Sequence, residues 1–133
     1  MRTIFLDTVG LLALWDEADQ WHDAAALAIN SLTGKGIRFV SSTLVMLECG
    51  NSAARTPYRR HVCEFRKELA NFGNLLVPSR ENEQSAWDAF SRGMAGDAGI
   101  VDQVSFTLMR ELDISEAFTN DKHFTAAGFR VLF

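Results

Sequence analysis

The chain alternates short runs of apolar, β-branched and aromatic residues with longer segments whose apolar residues recur every three or four positions. RTIFLD (2–7), IRFVSS (37–42), NLLVPS (74–79), EAFT (116–119) and FRVLF (129–133) are of the first kind and read as strands, the third ended by Pro78. Between them the helical period predicts helices over 10–16, 19–32 and 43–54. Asp19 is the N-cap expected for the second. Pro57 opens a further helix reaching residue 71, and 81–93 carries acids early and an arginine late, as a helix dipole favours. A loop with Gly93, Gly96 and Gly99 leads into GIVDQVSFTLMREL, a last long helix, and KHFTAAG is a short helical turn. Strands separated by helices predict an α/β fold with right-handed crossovers. We expect one domain spanning 1–133, with a central, mostly parallel sheet of about four to five strands flanked by helices.

Composition narrows the class. The 133 residues are 47% hydrophobic, which supports a globular core. No apolar run approaches the roughly 20 residues of a membrane span, and no signal pattern opens the chain, so the expected location is cytoplasmic. Cys49 and Cys63 both fall in predicted helices without metal-type spacing, and are expected to be free, buried thiols. The net charge of −4 argues against a protein that coats nucleic acid by electrostatics alone. Yet Arg55, Arg59, Arg60, Arg66 and Lys67 face only one acid, Glu64, within a single stretch. Such a run is most simply a solvated helix face.

The acids raise the chemical question. Asp7 ends the first strand and Asp121 follows EAFT, so both fall at strand ends. In open α/β sheets that edge is where ligands bind. Asp7 could equally cap the helix that follows it, and Asp121 could be a turn residue. Glu48 sits in LVMLECG, an apolar helix where an unpaired carboxylate is costly to bury. Asp102 opens the helix of Ile100, Val101 and Val104, and Asp97 lies in the glycine-rich loop before it. Carboxylates within about 4–6 Å of one another must take up protons or a cation. An all-oxygen set favours Mg²⁺ or Mn²⁺ over zinc, and such ions suit phosphoryl chemistry.

Asp7-Thr8 after an apolar strand, Glu48 with Asn51 in a helix, Asp97 to Asp102 running into VSF, and TNDKHF followed by AGF together resemble a PIN domain. The likeness is nearest to the VapC-type ribonuclease toxins of toxin–antitoxin modules and runs over essentially the whole chain. It implies a metal-dependent endoribonuclease in which Asp7, Glu48, Asp102 and Asp121 hold one or two Mg²⁺ or Mn²⁺ ions. Asp97 would be an auxiliary acid, Thr119 would position a water or brace Asp121, and Asn51 would help orient the helix of Glu48. The family cleaves RNA with a metal-activated water. A cognate antitoxin and a homodimer are the implied partners, with no membrane. Arg55, Arg59 and Arg60 then become candidates to hold the RNA backbone or to contact the antitoxin. Where the family often has a small polar residue, two after the first aspartate, this chain has Val9.

Other chemistries are disfavoured. Val9 also fills the place of the second aspartate of an aspartyl-phosphate enzyme, no G-x-S-x-G elbow exists, and no Lys-Ser/Thr follows the glycine loop. His22, His61 and His123 are scattered; His123, two residues after Asp121, could approach the site, but a packed or surface role is the one expected of it. Trp15, Trp21, Trp87, Phe90 and Phe106 are expected in the core or an interface. The rival reading is a non-catalytic PIN-fold module that binds RNA or protein.

Overall fold

The structure is a computed structural model describing residues 2–133. Its elements follow in the order β1 (Thr3–Leu6), α1 (Thr8–Trp15), α2 (His22–Leu32), β2 (Arg38–Ser42), α3 (Thr43–Ala53), α4 (Arg59–Asn71), β3 (Leu75–Leu76), α5 (Arg80–Ser91), α6 (Ile100–Glu111), β4 (Glu116–Phe118), α7 (Lys122–Ala126) and β5 (Arg130–Val131). Every strand is separated from the next by at least one helix, the connection parallel strands require. The sheet is five-stranded in the order β3-β2-β1-β4-β5, and all four pairings are parallel. It is therefore wholly, not mostly, parallel.

β1 lies in the middle, with Phe5 opposite Val40 of β2 and Ala117 of β4. Ile4, Phe5 and Leu6 are all buried, the unbroken apolar run expected of a strand covered on both faces. Phe106 of α6 and Phe124 of α7 meet edge-to-face with centroids 4.9 Å apart, joining the last helix to the core. Among the described residues no helix is long and apolar enough to cross a membrane.

Local chemistry accounts for the departures from expectation. Asp19 does not cap α2; its carboxylate accepts from the Trp21 backbone in the turn ahead, and the helix starts at His22. α4 starts at Arg59, two residues beyond Pro57, and buries only Val62 and Leu69. Cys63 stands on its wet side and is exposed, while Cys49 is buried as expected. Phe106 is in the core, but Trp21, Trp87 and Phe90 are substantially exposed.

One glycine decides how closely α1 can lie on the sheet. A Cβ on Gly10 would sit 2.1 Å from the carbonyl oxygen of Phe118 and 2.7 Å from its ring. That oxygen belongs to the backbone of β4, so it cannot swing aside. Gly10→Ala is expected to cost about 3 kcal/mol or more through this clash. Chemical denaturation would measure it, and an unchanged midpoint would show that α1 can move away freely.

Candidate active site

The close approach of α1 to β4 brings two strand ends together. Asp7 follows β1 and occupies the N-cap position of α1, yet its carboxylate makes no capping hydrogen bond. Instead Thr119, just past β4, donates its buried hydroxyl to Asp7 Oδ2 at 2.9 Å. The same Thr119 oxygen accepts the backbone N–H of Asp121 at 3.1 Å. Thr119 thus braces both strand-end acids, Asp7 through its carboxylate and Asp121 through its backbone.

The other two acids come from helices. Ser42 caps α3 by accepting from Val45 N, which fixes the helix start and places Glu48 one and a half turns along. Thr8 donates its hydroxyl to Glu48 Oε1 at 2.6 Å, tying α3 to the start of α1. Asp102 stands in the first turn of α6 behind Gly99. Asp7, Glu48, Asp102 and Asp121 line one open cavity of about 380 Å³, together with Thr8, Val9, Asn51 and Ser52. None of these eight lining residues is cationic.

That arrangement strains the acids electrostatically. Burial, then the Asp102 charge, pushes the Asp7 carboxyl up to about 7, against a smaller lowering by the Thr119 hydroxyl. Burial, then Asp121 and Glu48, lifts Asp102 to about 6. Negative charge has been gathered here with no cationic side chain on the cavity wall, and the His123 charge offsets the rise of Asp102 only in part. The donors are oxygens throughout, which fits Mg²⁺ or Mn²⁺ better than a soft metal.

The remaining candidates are distributed differently. Asn51 lies on the cavity wall, exposed, one turn after Glu48. Val9 also lines the cavity, with Ser52 contributing a hydroxyl-bearing side chain to the same wall. Arg55, Arg59 and Arg60 are exposed on the α3–α4 connection and the first turn of α4, and none lines the cavity. Arg59 donates to the Ala54 carbonyl at 3.1 Å, which closes that connection.

Asp97 is not on the cavity wall. Its exposed carboxylate accepts from His123 Nε2 at 2.6 Å. The other ring nitrogen, Nδ1, lies 2.8 Å from Asp121 Oδ1. Both nitrogens facing carboxylates suit a doubly protonated imidazolium, and the Asp97 contact raises the His123 pKa above its ordinary value. The possible ligand atoms of Asp102, Asp121 and His123 all lie within 4.8 Å of one another. His123, two residues after Asp121, does approach the site, the alternative that the sequence had ranked below a packed or surface role.

A parallel sheet with four acids gathered past its strand ends is the arrangement of a PIN-domain protein. By fold and by sequence along its length, the chain is similar to VapC-type PIN-domain proteins. Two curated sequences from strains of Mycobacterium tuberculosis, each described as the 23S rRNA-specific endonuclease VapC20, are 28% identical over 131 residues, covering 95% of this chain and 95% of each relative. The crystal structure of Mycobacterium tuberculosis VapC20, described as a Sarcin-Ricin loop cleaving toxin, superposes with a TM-score of 0.77 at 26% identity, over 95% of both chains. FitAB bound to a DNA fragment matches with a TM-score of 0.71 at 14% identity, covering 96% of this chain and 92% of that one, a likeness of fold. No protein-family model matches the chain.

Proposed function

We propose that this chain is a divalent-metal-dependent endoribonuclease, the toxin of a toxin–antitoxin pair, with residues 1–133 forming its PIN domain. One observation carries the reading: four carboxylates from β1, α3, α6 and the end of β4 share a cavity whose lining holds no cationic side chain. The VapC20 relatives, described as cleaving 23S rRNA, support RNA as the substrate class, with a loop of a structured RNA as the target.

In this reading Asp7, Glu48, Asp102 and Asp121 hold Mg²⁺ or Mn²⁺. When bound, such an ion would supply an activated water and charge compensation at the phosphate oxygens. Thr119 fixes the Asp7 carboxylate, and Thr8 fixes that of Glu48, so that two acids on different elements keep their separation. The acids alone repel an RNA backbone. Arg55, Arg59 and Arg60 provide the nearby positive rim that attracts the polyanion, or an acidic segment of the antitoxin. Their exposure and lack of acid partners among the described residues favour that use. A homodimer and a cytoplasmic location complete the proposal.

The test is cleavage of ribosomal RNA by the purified chain with Mg²⁺ or Mn²⁺. Cleavage should stop with EDTA, return with excess metal, and be lost in Asp102→Asn. Tight RNA binding without turnover under every metal condition would instead favour a binding module.

A further inference from the structure

We propose that His123 is a positioning residue that links Asp97 to Asp121, so that Asp97 acts on the acid site through the imidazole and not as a ligand. The inference rests on the cation-binding reading above.

The geometry is specific about which atoms remain free. Asp121 Oδ1 receives two hydrogen-bonding contacts, from the His123 backbone N–H at 2.9 Å and from His123 Nδ1 at 2.8 Å. Both fall on the same oxygen, which leaves Oδ2 as the atom available to the cavity. The backbone of Asp121 is held as well, since its N–H donates to Thr119 Oγ1. Asp121 is therefore fixed in rotamer and in position, as a carboxylate must be to ligate a cation in a defined geometry.

His123 is itself pinned from the far side. Nε2 meets Asp97 Oδ1 at 2.6 Å, and Asp97 sits between Gly96, with φ of +68°, and Gly99, the N-cap of α6. The contact spans 26 residues and joins the loop ahead of α6 to α7. α6 carries Asp102 and α7 follows Asp121, so this latch sets the spacing of two cavity acids from outside the cavity. Both ring nitrogens of His123 already lie against carboxylates, Nδ1 on Asp121 and Nε2 on Asp97.

The experiment is a double-mutant cycle on Mn²⁺ affinity, read by titration of free Mn²⁺ and by the Mn²⁺-induced rise in Tm. His123→Ala should weaken Mn²⁺ binding by about tenfold or more. Asp97→Asn should weaken it severalfold, and the double variant should match His123→Ala within about twofold, because Asp97 acts only through the ring. A direct Asp97 ligand would instead give a further loss in the His123→Ala background, and would overturn the proposal. A His123 ligand would make His123→Gln lose Mn²⁺ as fully as His123→Ala, with the same consequence. Should His123→Ala fail to fold, His123→Gln carries the same cycle, with an amide donor in place of the ring and an intermediate loss expected. A purely structural latch would lower Tm in EDTA yet leave Mn²⁺ affinity unchanged, and that too would overturn it. RNA cleavage is measured beside affinity in the parent chain: Mn²⁺ binding without cleavage removes the nuclease reading while the cycle still reports on His123.

Discussion

Asp7→Asn is expected to lower RNA cleavage by roughly a hundredfold or more and, in EDTA, to make the protein more stable. The two effects share one cause. Asp7 is only 2% exposed and faces Asp102 with no cation among the cavity-lining residues. Its carboxyl is pushed up to about 7, chiefly by burial. Ionising it in the metal-free protein therefore costs free energy that the unfolded chain does not incur. Asparagine keeps an oxygen to accept from Thr119 while removing the charge. A gain of roughly 1–3 kcal/mol is expected at pH 7.5, with a rise in Tm of several degrees. The gain should shrink towards zero as pH falls to 4, where Asp7 is neutral in the folded protein and about half protonated in the unfolded chain. Denaturation of both proteins in EDTA at pH 4, 6 and 7.5 checks this. A variant less stable than the parent at every pH would mean that the Asp7 charge is already compensated.

The second large effect concerns metal removal and pH together. A carboxyl whose folded pKa is raised contributes stability that is complete below its unfolded value and is lost as pH rises through the folded one. Asp7, raised to about 7, and Asp102, raised to about 6, both have this sign. The metal-free protein should thus lose stability between about pH 4 and pH 7. His123, raised by its contact with Asp97, adds the same sign at the upper end. Glu116, lowered by its paired Arg2, has the opposite sign but acts only below the ordinary glutamate range. Mn²⁺ should reverse the trend because it binds the ionised acids. At a hundred times its dissociation constant it stabilises by about 2.7 kcal/mol. Thermal unfolding from pH 4 to 8, with EDTA and with Mn²⁺, would show two curves that diverge as pH rises. Parallel curves would sink the assignment of these acids as ligands.

The strength of the sequence reading varied with the kind of evidence each residue offered. The strand of Ile4, Phe5 and Leu6 was legible because a parallel strand buried on both faces needs an unbroken apolar run. Asp102 was legible as a helix-start acid, and Glu48 as an acid in an apolar helix, since each broke the pattern around it. The start of α2 was not, because Asp19 has cap chemistry but spends it on a turn. His123 could be placed near Asp121 by sequence distance alone, but its contact with two candidate acids was not legible because Asp97 lies 26 residues away.

By itself the sequence determined the α/β class, the alternation that makes the sheet parallel, and the set of acids that a cation site could use. Those follow from burial patterns and residue types along one element at a time. Tertiary structure alone decided that four of these acids share a cavity while Asp97 stands outside it, joined through His123. It also settled the question that Asp7 poses. The residue occupies a helix cap position without a capping bond, and its carboxylate is held by a hydroxyl 112 residues away. No periodicity along the chain reports such a contact, because it depends on how closely α1 settles against β4, and that distance is set by the missing side chain of Gly10.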